Sequence, residues 1–182
     1  MQIRYALPAD RPAVLALNEE SEHFLSPLTL ARLVVLTAQA EAHWVVEEEG
    51  SIVAFLLAFR EASAYDSVNY KWFAARYPCF LYIDRVVVTN VAKGLGLGKL
   101  LYRTVFAHAN GTSVPLVTCE FDIEPPNPVS ASFHAKFGFQ EVGQQLAGGG
   151  KKLVSLQAAS VHEQNVGNHS FERCFSPLSS VL

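Results

Sequence analysis

The sequence predicts a single α/β (α+β) domain in which helices flank a central sheet, and three observations carry that expectation. The chain has 182 residues, half of them hydrophobic, which suits one full core and leaves little room for a second. Residues 42–60 read as a β-hairpin. The segment 86–101, VVVTNVAKGLGLGKLL, reads as a strand, a glycine-rich loop and a helix. Composition excludes other classes. With 50% apolar and 11% aromatic residues the chain is not of the disordered kind. A formal net charge of −3, from 14 basic and 17 acidic residues, argues against nucleic-acid binding by phosphate neutralisation. The longest apolar run, Ile52 to Phe59, is short of the about 20 residues that span a bilayer. No apolar stretch precedes the first prolines, so no secretory signal is expected, and a cytoplasmic location is.

The elements follow in order. Residues 2–6 alternate and read as a strand ended by Pro8. A helix carrying Val14, Leu15 and Leu17 follows, with Asp10 as its expected N-cap and Pro12 tolerated in the first turn. A second helix runs from about Thr29 to Ala40. The hairpin comes next, AHWVVEE and SIVAFLLAFR joined by Glu49-Gly50. Residues 61–79 hold Tyr65, Tyr70, Trp72, Phe73 and Tyr77 without clean periodicity, and fit either a functional loop or a short irregular helix packing its rings inward. FLYIDRVVV, 80–88, is a strand. Leu97, Leu100, Leu101, Thr104 and Val105 then share one face of a helix over 98–110. A strand from Pro115 precedes a short helix capped by Asn127, opened by Pro128 and stopped at Gly138. Strands FQEVGQQ and KKLVSLQ flank Gly148–Gly150. The domain is expected to occupy 1–157, and 158–182 to be an appendage that is partly disordered.

The glycine loop is the most informative stretch. Gly94, Gly96 and Gly98 let backbone amides turn inward, and the helix that starts there adds unpaired N–H groups and a positive dipole end, an anion site fit for a pyrophosphate. It is not a P-loop, because Lys93 stands where the first glycine belongs and Leu100 where the Mg²⁺-binding hydroxyl belongs. It is not the dinucleotide fingerprint, because Lys99 takes the final glycine position. It does meet the pattern [QR]-x-x-G-x-[GA] over Lys93 to Gly98, with Lys at its first position.

With that loop and NPVSASFHAKFGF at 127–139, the sequence resembles the GNAT superfamily of acetyl-CoA-dependent N-acetyltransferases. The second stretch is similar to that superfamily's N-x-x-[AS]-x-x-[FL]-Y-x-x-x-G-F helix, and the resemblance extends over nearly all of residues 1–157. Bacterial members have stretches similar to YDSVNYKWF, 65–73, and FHAKFGF, 133–139. The resemblance implies a mixed, mostly antiparallel sheet and N-acetylation of a primary amine on a small molecule, an amino-acid analogue among the candidates, by direct attack in a ternary complex. It further implies that the backbone of Lys93, Gly94, Leu95, Gly96, Leu97, Gly98 and Lys99 holds the pyrophosphate, and that Val86, Val87 and Val88 pair with the pantetheine arm. Lys93 lacks the bidentate fork of an arginine, which weakens that contact modestly.

The departure lies at His134, where the superfamily usually has a tyrosine that protonates the leaving thiolate. Asn127, Ser130 and His134 share one helix face and are expected to line the cofactor. A histidine can serve as the acid; its bland alternative is a surface side chain. Two carboxylates are candidates for the base. Asp84 shares a face of its strand with Val86 and Val88, and a salt bridge to Arg85 would explain it equally well. Glu120 lies mid-strand in PLVTCEFD, where a carboxylate needs a partner or a function. The sequence does not choose between them. Tyr65, Tyr70 and Trp72, with Glu120, are expected to wall the acceptor site.

Rival readings are a non-catalytic acyl-CoA-binding regulatory module, given weight by the absent tyrosine, and a protein or peptide N-acetyltransferase, which needs an open groove. No metal is expected: Cys79, Cys119 and Cys174 are scattered, and His162, His169 and Cys174 lack ligand spacing. A homodimer is left open by the resemblance alone.

Overall fold

The computed structural model describes residues 1–22, 25–150 and 152–162. Seven strands are hydrogen-bonded in the order β1-β2-β3-β4-β5-β7-β6, with the pairs β1·β2, β2·β3, β5·β7 and β6·β7 antiparallel and β4·β5 parallel. The mixed, mostly antiparallel sheet is therefore as expected. The described residues fall into two compact units, one within 1–65 and 83–105, the other within 66–82 and 106–162.

The first unit contains β1 (Gln2–Tyr5), α1 (Arg11–Glu19), α2 (Leu30–Gln39), β2 (Ala42–Glu48), β3 (Ser51–Arg60) and the later residues of β4 (Leu81–Val88). Its core joins Val14 and Leu17 of α1, Leu33 of α2, Val45, Phe55 and Val87. The hairpin turn is as read: Glu48 pairs with Ser51, and Glu49 and Gly50 have φ of 50° and 77°, the left-handed pair that matches strand twist. Asp10 stands at the N-cap position of α1 as expected, but without the capping bond. Its carboxylate instead accepts from the Leu7 amide at 2.7 Å and from the Arg4 guanidinium at 2.7 and 2.9 Å, closing the 3₁₀ turn Pro8–Asp10. A cation within reach outcompeted the amides of α1. Thr29 does cap α2, accepting from the Arg32 amide at 3.2 Å.

The second unit holds α3 (Val68–Ala74), β5 (Leu116–Glu124), α5 (Pro128–Ala135), β6 (Gln140–Ala147), β7 (Lys152–Ser160) and the end of α4 (Leu97–Gly111). Residues 61–79 thus contain a helix, begun where Ser67 Oγ accepts from the Tyr70 amide at 3.4 Å. Its ring of Phe73 meets Phe80 and Tyr82 at centroid distances of 6.3 and 5.8 Å. Asn127 caps α5 through its Oδ1 and the Ser130 amide, 3.0 Å apart. That helix ends at Ala135, and Gly138 at φ 73° turns the chain into β6. β7 continues to Ser160, with Ala158, Ala159 and Val161 buried. Residues 163–182, including His169 and Cys174, lie outside the described residues.

Candidate active site

In the first unit β4 leads through the 3₁₀ turn Asn90–Ala92 into the glycine loop and α4. Gly94 and Gly96 have φ of 85° and 82°, a backbone state that side chains rarely adopt, and a Cβ on either would meet nothing within 4 Å. Glycine is thus required here by backbone shape, and the space before the loop is open. The Leu100 amide donates to Gly96 O at 2.9 Å. The amides of Leu97, Gly98 and Lys99 precede that first helical bond and have no intrahelical acceptor. Lys93, Leu95 and Lys99 are exposed, whereas the side chains of Leu97 and Val87 are each 2% exposed and belong to the core. Only the backbones of those two residues remain for a ligand. Val86 and Val88 alternate with Val87 and are half-buried.

Asp84 is engaged within this unit. It accepts from Tyr65 OH at 2.5 Å and from Arg85 Nε at 3.0 Å. Arg85 also donates to Asn18 Oδ1 at 2.6 Å and to Ser26 O at 2.8 Å. Burial pushes the Asp84 carboxyl above its ordinary range, and the Arg85 charge opposes that shift. The structural alternative named for Asp84, a salt bridge to Arg85, is therefore present. Tyr65 is 6% exposed and stacks on Phe59 with centroids 4.2 Å apart, so its ring is core and only its hydroxyl serves the cluster.

The second unit gathers a different set. Glu120 Oε1 accepts from Asn69 Nδ2 at 2.8 Å and from Tyr82 OH at 2.9 Å, and Gln145 Nε2 donates to Asn69 Oδ1 at 2.9 Å. Asn69, Tyr82 and Gln145 were not foreseen as site residues. The available signal was polarity inside apolar elements: Tyr82 alternates with Asp84 on its strand, and its register partner Thr118 lies two residues before Glu120. Tyr70, 2% exposed and packed on Phe80 and Tyr82, is interior instead of wall. Trp72 has the Arg76 guanidinium 3.8 Å over its ring.

His134 is not a surface side chain. It is 6% exposed, stacked on Phe121 at 5.3 Å and edge-on to Phe133 and Phe139. Its Nδ1 lies 2.7 Å from Ser130 O and 3.2 Å from Ser130 Oγ. A carbonyl only accepts, so the proton sits on Nδ1 and the lone pair on Nε2. Burial lowers its pKa. The resting imidazole is thus neutral and an acceptor at Nε2, and the expected acid role needs prior protonation. Ser130 faces His134 as anticipated, while Asn127 is committed to the helix cap.

The family model described as "Acetyltransferase (GNAT) family" matches residues 11–139. This chain belongs to that family. Solved structures share the fold of this GNAT protein. Ard1 from Thermoplasma volcanium has a TM-score of 0.71 at 17% identity, covering 87% of this chain and 96% of that one. An N-acetyltransferase from Staphylococcus aureus Mu50 gives 0.67 at 18%, covering 88% and 98%. A ribosomal-protein-alanine N-acetyltransferase from Brucella melitensis gives 0.66 at 22%, covering 88% and 99%. Members of the GNAT family use acetyl-CoA as co-substrate. The open glycine pair at positive φ, the first-turn amides of α4 and the exposed Lys93 fit the charge and shape of its pyrophosphate. Among the described residues no three His, Cys, Asp or Glu side chains gather as a metal site, and no helix is long and apolar enough to cross a membrane.

Proposed function

We propose that this GNAT protein binds acetyl-CoA and transfers its acetyl group to a primary amine of a small molecule by direct attack. The observation that carries the reading is the loop Lys93–Lys99, whose two left-handed glycines open directly onto the amides of α4. The amide-rich helix start takes the pyrophosphate, Lys93 adds one positive charge, and the backbone of Val86–Val88 offers the pantetheine arm strand-like partners.

The reaction converts an ammonium and a thioester into an amide, a thiol and a released proton. A base must take the proton from the nitrogen before it attacks the acetyl carbon, and the C–S bond then breaks to free a thiolate. Glu120 supports the base role better than Asp84. The Asp84 oxygens already hold Tyr65 and Arg85, and a substrate would have to displace a buried ion pair. Asn69 and Tyr82, both neutral, donate to Glu120 Oε1, so a substrate need not displace an ion pair there, although Glu120 Oε2 is itself buried. His134 serves the thiolate only in the fraction of molecules whose Nε2 has first taken up a proton.

The test measures thiol release from acetyl-CoA with amino acids, polyamines, aminoglycosides and short peptides, beside calorimetry of acetyl-CoA binding. Turnover with small amines supports the reading. Turnover confined to peptides replaces it with the peptide reading; peptides beginning with alanine belong in the panel because two structures of this fold are named as ribosomal-protein-alanine N-acetyltransferases. Binding without turnover across the panel supports a regulatory module. Absence of binding overturns the loop assignment.

A further inference from the structure

We infer that Asn69 and Gln145 are positioning residues that hold Glu120 in the ionised, single-rotamer state from which it takes the acceptor's proton, an inference that rests on the acetyl-transfer reading above. The chemistry of the chain of bonds fixes its direction. An ionised carboxylate only accepts, so the Asn69 edge 2.8 Å from Glu120 Oε1 has to be the NH₂ edge. Its other edge, Oδ1, needs a donor, and Gln145 Nε2 supplies one at 2.9 Å. Without Gln145 the Asn69 amide is free to flip and set its oxygen against a carboxylate. Tyr82 OH fixes the same Oε1 from a second direction at 2.9 Å. Donors to the charged form favour it over the protonated form.

The backbone supports the same arrangement. Glu120 and Gly143 are both paired with Leu156 of β7, which puts them in one row, and Gln145 follows two residues after Gly143 on the same face. A helix crosses that face: Trp72 of α3 lies on Gly143, and Asn69, one turn earlier, reaches Glu120 and Gln145. Asn69 is 7% exposed, so its amide bonds are shielded from water. In the step itself one ammonium proton passes to Glu120 and is later released, the nitrogen lone pair forms the C–N bond, and the C–S pair leaves with the thiolate. The second proton that the nitrogen sheds as the amide forms goes to that thiolate to give the thiol.

The experiment follows the Glu120 carboxyl directly. Protein carrying ¹³C-labelled glutamate is titrated by NMR, with Glu120→Gln identifying the resonance, for the wild type, Gln145→Met and Asn69→Leu. The pH profile of kcat/KM is measured on the same proteins. In both variants the Glu120 titration is expected to move upward by on the order of one pH unit. The acidic limb of the rate profile is expected to follow it, with activity recovering at alkaline pH. A titration that stays in place, a limb that does not follow it, or an equal loss at every pH overturns the inference. Gln145→Met changes a half-buried strand residue of similar shape, so it remains informative should Asn69→Leu fail to fold. No thiol release by the wild type overturns the acetyl-transfer reading and the proton-taking role with it. The carboxyl titration then still decides whether these amides hold Glu120.

Discussion

Gly143 of β6 lies so close beneath the indole of Trp72 that a Cβ on it would stand 2.6 Å from Trp72 Cζ2. Helix α3 and β6 therefore pack with no room for even one methyl group. Gly143→Ala is expected to cost about 1–3 kcal/mol, the range for overpacking a close contact. Chemical denaturation measures it. Shortening the ring with Trp72→Phe in the same chain should recover part of the loss. Additive effects of the two substitutions would show that the strand gives way and not the ring.

Gly96 tests the loop in a different way. Its φ of 82° is one that a β-branched residue adopts only under strain, yet the space around it is open. Gly96→Val should leave the chain folded, at a cost of about 1–3 kcal/mol. Its affinity for acetyl-CoA should fall at least about 100-fold, because side-chain atoms enter the space assigned to the pyrophosphate. Lys93→Ala should weaken binding by less than about tenfold, the worth of one exposed charge. Calorimetry reads both, and unchanged affinity in the valine variant removes the pyrophosphate from this loop.

Much of this architecture was legible in the chain because local signals agreed with the fold. Glu49-Gly50 between apolar runs, Asn127-Pro128 at a helix start and the glycines before Leu97 each have one cheap backbone solution, and each is found there. The Asp10 carboxylate turned to Arg4 because β1 and the 3₁₀ turn after it place that guanidinium 2.7 Å away, a contact that no local pattern announces. Site residues were harder to read. Asp84 and Glu120 look alike as strand carboxylates; Arg85 stands beside Asp84 in the sequence, but only the tertiary fold supplies Tyr65 to one and Asn69 and Tyr82 to the other. The rings of Tyr65 and Tyr70 suggested a wall, but aromatic content does not say which way a ring faces, and both are buried.

His134 carries the third prediction. Its ring is sandwiched among Phe121, Phe133 and Phe139, so His134→Ala would leave a cavity; His134→Phe fills the same space without the nitrogens. The phenylalanine variant is expected to lower kcat by about tenfold or more, while the Kd for acetyl-CoA changes by less than about twofold. His134→Tyr supplies a phenolic proton and should restore part of kcat. Equal loss in kcat and binding would assign His134 to shaping the unit alone, and no loss would leave it without a part in the reaction.

His43 supplies a pH dependence that owes nothing to catalysis. It sits on β2 at 6% exposure, with Nδ1 3.2 Å from Thr37 Oγ1 and its ring edge-on to Phe55. Its Nε2 is buried without a hydrogen-bond partner among the described residues. Burial pushes the pKa from 6.5 down to about 4, with the nearby Asp10 charge opposing and Arg11 assisting. The unfolded chain therefore binds a proton below pH 6.5 that the folded chain refuses until about pH 4. Stability is full above pH 6.5, falls as the pH drops through this window, and the His43 share of the loss is complete below pH 4. The shift corresponds to about 3 kcal/mol. His134 acts in the same direction, since burial lowers its pKa as well. Asp10, held low by Arg4, adds its loss only below its ordinary value of 3.8. Urea unfolding of the wild type and His43→Leu at pH 7, 5.5 and 4 isolates the term. The variant is expected to lose less stability than the wild type across that range by about 3 kcal/mol, and equal losses would place the proton uptake on other groups.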